Sequence, residues 1–283
     1  MMRSTGTFSP NVFALSVTAA VLANWMQSLS GSGLSARAFL LGGFPLAVGL
    51  MILSAFLANS GIFSGDTILS RFAQAGLLLW FAAELVSAVR DAQTICWEQF
   101  SSMAVIGALP LLVLAGWCLS PQVFSRAAKI LWVLVVVVGV ICIAGLAEQF
   151  RWQNLLETTA VFSRAINKIN IPIYAEYFAL SLVDSKETST QTSYRMSWLP
   201  LGAFLLEVGC RLGIELLFGS AQDYPGYELL RAWTLGMFSR LDSLILLVWL
   251  TIGLFRICLL VQILRTLAER FFGSTVLNRE VES

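Results

Sequence analysis

Few residues in this chain are equipped for chemistry, and most of them interrupt apolar runs. Arg256 lies inside the run from Leu241 to about Leu264, flanked by Leu254, Phe255, Ile257 and Cys258. Asp242, Trp249 and Arg256 are spaced by seven, which places them on nearly one face of a helix. Asp242 and Arg256 are then separated by about 21 Å of helical rise, too far to pair within the helix. A guanidinium at this depth must face protein or water, because lipid cannot solvate it. The alternative is that its long stem lies along the helix and carries the head to the nearer interface. If Arg256 is paired, Glu176 and Glu207 are the carboxylates expected near its depth.

Glu176 sits near the middle of Ile171 to Val183, an apolar stretch of only 13 residues with Pro172 near its start. A regular crossing needs about 20 residues, so this stretch is a candidate broken helix. There Glu176 could meet a ligand ammonium, a coupling proton or an internal arginine; the bland alternative is a neutral or helix-paired carboxyl. Glu84, within the apolar run 72–90, follows the same logic. Glu207, Arg211 and Glu215 stand at i, i+4 and i+8, so they can satisfy one another on one helix face. That spacing reads as a structural ion network or a partner-facing seam before it reads as a transport path.

The chain has no histidine, which excludes Ser-His-Asp and Cys-His catalysis and histidine-ligated metal. Cys96, Cys118, Cys142, Cys210 and Cys258 are scattered, without a C-x-x-C pair, and read as small core residues. No enzyme activity, metal or cofactor is expected. A net charge of +1 leaves no basic stripe for nucleic acid.

These residues must be positioned by membrane helices. Of the 283 residues, 57% are hydrophobic and 12% charged, against about 25% charged in a soluble domain. Apolar runs predict an all-α integral membrane protein, one membrane domain over 1–283, with about eight spans. They fall near 11–27, 38–57, 72–90, 103–119, 130–147, 171–184, 196–218 and 241–264. The first could also be a signal peptide, but no clean small-x-small cleavage site precedes a soluble domain, so an uncleaved span is expected. Pro45 and Pro110 fall inside the second and fourth spans. The interval 148–170 alternates apolar and charged residues and is expected to lie at the interface. Ser28 to Ser35 and Ser185 to Arg195 read as polar loops. Eight crossings put both termini on one side, and the Lys/Arg distribution slightly favours the cytoplasm. Trp25, Trp97, Trp117, Trp152, Trp198 and Trp233 stand near span ends, as interfacial anchors do.

The last span and its approach also resemble a family. Arg240, Asp242, Trp249, Arg256 and Phe271-Phe272-Gly273 look like the eighth span of the endospore germination permeases, the B subunits of nutrient germinant receptors. Tyr224-Pro225 and Tyr227-Glu228-Leu229-Leu230-Arg231 are similar to the Y-P-x-Y-E segment before it. Arg90-Asp91 matches an Arg-Glu at the end of span three, and Arg126 within Ser120 to Leu131 a basic loop position. Phe150-Arg151-Trp152-Gln153-Asn154-Leu155-Leu156 is similar to an asparagine-leucine-leucine-proline motif, with Glu157 in place of the proline. Pro172-Ile173-Tyr174-Ala175-Glu176 resembles the P-F-G-E of span six, with Ala175 for the glycine. The Leu-Pro-x-Thr-Pro of the family is Cys96-Trp97-Glu98-Gln99-Phe100 here.

The resemblance implies a transporter fold of the amino acid–polyamine–organocation type, built from two inverted five-helix repeats. Ten spans are expected there and eight here, so this chain would hold a partial version lacking the last two helices. A core of spans one, three, six and eight would remain. The resemblance further implies a spore inner-membrane protein that binds a small nutrient, an amino acid, and signals to A- and C-type receptor subunits. Glu176, Tyr174, Ala175, Glu84, Trp249 and Arg256 are the ligand-site candidates. The competing functions are a working secondary transporter of amino acids or organic cations, and a non-transporting assembly scaffold.

Overall fold

The computed structural model describes residues 8–27, 36–60, 62, 67–157, 171–179, 197–219 and 241–281. Every regular element among them is a helix. In chain order these are α1 (Pro10–Gln27), α2 (Ala36–Asn59), α3 (Ile68–Phe100), α4 (Ala104–Cys118) and α5 (Pro121–Leu146). A 3₁₀ turn (Ala147–Gln149) leads to the short α6 (Trp152–Glu157), and a single 3₁₀ turn spans Ala175–Phe178. The chain continues with α7 (Leu199–Phe218) and α8 (Leu241–Val281). Four stretches, Ala36–Leu57, Ile68–Phe100, Pro121–Gln149 and Ile245–Phe272, are long and apolar enough to cross a membrane. The protein is therefore all-α and of membrane type. The polar loops at 28–35 and 185–195, the 224–240 segment and residues 158–170 lie outside the described residues.

α8 is the centre of the bundle. Its apolar window is 67% buried, against 11–17% for the other three. Only α8 among those four is thus wrapped by protein, which is why it can carry an arginine. It packs against α3, α4, α1 and α5, while α7 pairs with α2 and α6. α1 touches both groups. It does so with small side chains: Ser16, Ala19, Ala20 and Ala23 are all buried, and small residues let helix backbones approach closely in a membrane.

Several boundaries differ from the sequence expectation, each for a local reason. α3 starts earlier because the Thr67 side chain accepts from the Ser70 amide at 3.2 Å, an N-cap. It also runs past Arg90-Asp91 to Phe100, so Cys96 to Phe100 is helix, and ends where Ser101 adopts φ 49°, a left-handed terminator. α5 starts at Pro121 instead of near 130, with proline at the helix start, where its missing N–H costs nothing. α8 continues beyond 264 to Val281, with Arg265 and Glu269 paired at 2.7 Å at the start of the extension. The sixth stretch, expected over 171–184, has no helix of crossing length in its described part. Pro172 disfavours a helical Ile171 and supplies no amide, and helical turns begin only at Ala175.

The start of the 148–170 interval has a structural role. Arg151 N and Asn154 Nδ2 donate to the Leu216 carbonyl at 2.9 and 3.2 Å, satisfying a carbonyl in the last turn of α7. α7 ends at Gly219 with φ 69°, where the Asn154 side chain packs against the glycine.

Candidate functional site

Arg256 is buried, 4% exposed, and pairs in two directions. Its Nε donates to Glu176 Oε1 at 2.9 Å and its Nη2 donates to Glu84 Oε2 at 2.6 Å. Glu176 is 0% exposed, and its Oε1 also accepts from Ser16 Oγ at 2.8 Å. One guanidinium thus joins α3 and the 3₁₀ turn to α8, and Ser16 brings in α1. The arginine does not snorkel.

The expected partner Glu207 does not pair with Arg256. It accepts from Arg211 at 2.8 Å, within α7. Arg211 also lies 4.2 Å from the Phe39 ring centroid, and Phe39 stacks on Phe204. Glu215, the third residue of that expected network, accepts from the Ala36 amide at 3.0 Å. A carboxylate there caps the N-terminus of α2 and faces the positive end of its dipole. The i, i+4 spacing therefore yields a Glu207–Arg211 pair, while Glu215 has a different job.

The backbone at Glu176 explains how a carboxylate reaches the middle of a bundle. Tyr174 is extended, with φ −94° and ψ 140°, and the chain then makes one 3₁₀ turn. Neither conformation needs positive φ, so Ala175 occupies this position without strain. Ala175 and Glu176 are fully buried. Tyr174 turns its ring toward Arg256, whose guanidinium carbon is 5.8 Å from the centroid, at the limit of cation–π attraction. Trp249, one heptad before Arg256 on α8, is buried, and its indole N–H has no partner among the described residues. The side chain of Asp242 lies outside the described residues.

Beside the pair lies a recess walled by Ala19 and Ala23 of α1, Ala88 and Asp91 of α3, and Trp249 and Arg256 of α8. It has room for about one water molecule. A ligand the size of an amino acid enters only if the helices move. Among the described residues, no three of Cys, Asp and Glu converge as metal ligands.

Comparison with known protein families, curated proteins and solved structures returns no match.

The structure thus brings Glu84, Tyr174, Ala175, Glu176, Trp249 and Arg256 together. It adds Ser16 and Asp91, which the sequence reading missed as site residues. Both left a signal: Glu84 and Asp91 are seven apart on α3, and Ser16 begins the small-residue face of α1.

Proposed function

We propose that this chain is a germinant-receptor permease-like subunit: it senses a small nutrient, an amino acid, at the Arg256 cluster and passes the event to A- and C-type partner subunits. The observation that carries the reading is the fork of Arg256 between Glu84 on α3 and Glu176 on the 3₁₀ turn. Intramembrane charges paired at a broken helix are the common form of a ligand site in repeat-built transporters. The elements meeting here are α1, α3, the 171–179 segment and α8, and the reading takes them as the first, third, sixth and eighth spans.

The arrangement also offers a mechanism. Arg256 is a lock with two anchors on different elements. A ligand ammonium that captures one carboxylate, or a ligand carboxylate that captures Arg256, exchanges an internal ion pair for an external one and frees an element to move. The small recess requires such movement for entry, so occupancy and conformation are coupled. A secondary transporter would use the same site, and uptake of labelled amino acid into vesicles distinguishes it. A scaffold would bind nothing.

Glu176→Gln keeps size but removes the charge. Protein levels should stay normal while the germination response needs roughly ten- to a hundredfold more ligand, the equivalent of losing a charge-assisted contact of about 1.5–3 kcal/mol. An unchanged dose response at normal protein level removes Glu176 from the site. The reading also takes eight crossings with both termini cytoplasmic. A single cysteine from Ser189→Cys, in an otherwise cysteine-free chain, should then be labelled only from the inside; labelling on intact cells reverses the orientation.

A further inference from the structure

The cluster does not balance its own charge. Two carboxylates, Glu84 and Glu176, share one guanidinium. Fully ionised, the three groups leave a net negative charge in the centre of the bundle. Glu176 takes both its hydrogen bonds on Oε1, and its Oε2 is buried with no partner among the described residues. The Tyr174 hydroxyl, in a residue 7% exposed, is likewise buried without one. An unmatched charge and an oxygen without a donor are both costly in a water-poor interior.

We propose that the Glu84–Glu176 pair is a binding site for one proton. The proton comes from bulk water and turns one carboxylate of the pair into a carboxylic acid. No bond other than O–H forms or breaks, no electrons move, and release returns the proton to water. The bound state leaves one carboxylate to one guanidinium, so the cluster is neutral. Its proton belongs to the pair, because two carboxylates around a common cation titrate together. Entry is through Glu84, whose side chain is 14% exposed while that of Glu176 is 0%.

The other groups facing the pair do not supply this balance. α1 contributes Ser16, a neutral donor. α3 contributes Asp91 at the recess, a further negative group, which accepts from Ser87 Oγ at 3.4 Å. The 3₁₀ segment contributes the phenols of Tyr174 and Tyr177, and α7 contributes Glu207, already held by Arg211. α2 carries Arg37 alone, exposed at its start. α4 has no Lys, Arg, Asp or Glu, and Arg126 and Lys129 of α5 are exposed. On α8, Cys258 turns its thiol to the Leu112 carbonyl. Arg256 is the sole cation in contact with the pair among the described residues.

This inference goes beyond the ligand reading and is tested without any ligand. Infrared spectra of the full-length protein in lipid vesicles at neutral pH should contain the carbonyl band of a protonated carboxylic acid, shifting in heavy water. Glu84→Gln and Glu176→Gln should each lose that band, since each leaves one carboxylate for Arg256. Asp91→Asn and Glu207→Gln should keep it. Arg256→Gln should strengthen it, because both carboxyls then take protons; this arm has the opposite sign and stands if a glutamate variant does not fold. Spectra with no such band in the wild type overturn the proposal. So does a band that survives Glu84→Gln and Glu176→Gln, or one that appears only when choline replaces sodium, which would make the site one for an alkali cation.

Discussion

Arg256→Leu is expected to cost about 3–5 kcal/mol of stability, the usual penalty for removing one member of a buried ion pair. The loss comes less from the attraction removed than from what is left behind. Glu176 is fully buried and would retain only Ser16 as a side-chain donor, and Glu84 would lose the 2.6 Å bond that ties α3 to α8. Leucine keeps bulk at the position, so the effect is not chiefly a cavity. The decisive comparison is the triple variant in which Arg256→Leu is joined to Glu84→Gln and Glu176→Gln. With no buried carboxyl left to protonate or to leave without its partner, it should recover most of the loss, because replacing a whole buried ionic group is often close to neutral. Combining Arg256→Leu with Glu207→Gln should instead give additive losses, since Glu207 pairs with Arg211 on another helix. Equilibrium unfolding in mixed micelles reads all three. Additive losses with Glu84 and Glu176 as well would mean that the three residues do not act together.

How much of this site was legible in the sequence depends on the kind of interaction. That Arg256 faces protein or water was expected from its neighbours and from the cost of a charge in hydrocarbon, with snorkelling as the alternative. Pro172 and the short apolar run around Glu176 were local signals too, and helical turns there begin only at Ala175. Partner choice was legible only in part: Glu176 was one of the two carboxylates expected, while Glu84 takes the place expected for Glu207. Glu84, Glu176 and Glu207 all sit in apolar runs, and helical spacing says only which residues share a face of one helix. Which faces meet is decided by packing: α3 lies against α8, while α7 lies against α2. The same limit applies to Glu215, whose i+4 spacing from Arg211 suggested a pair while the N-terminus of α2 supplies a donor. The length of α3 was missed for another reason. Arg90 and Asp91 read as a span end, although a helix with Ala88, Ala92 and Ile95 buried on one face continues through them.

The second large effect falls on a residue that no pattern marks. α4 holds Gly107 and Gly116, nine residues apart in the same apolar helix. A Cβ on Gly107 would meet nothing within 4 Å, whereas on Gly116 it would stand 2.5 Å from the Cys258 carbonyl oxygen and 2.8 Å from Val261 Cβ. The first of these contacts is backbone and cannot rotate away, so α4 must move off α8. That separation would also strain the Cys258 thiol's bond to the Leu112 carbonyl and the bond from Arg265 to the Trp117 carbonyl. Gly116→Ala should therefore lose about 1–3 kcal/mol, the range for overpacking a close contact, and Gly116→Leu more. Gly107→Ala should lose nothing and can gain about 0.5–1 kcal/mol, the advantage of alanine over glycine inside a helix. The two alanine variants add the same methyl group to the same helix, so an unfolding series that gives them shifts of opposite sign measures the α4–α8 contact itself. Equal shifts would mean that the helices do not approach through Gly116.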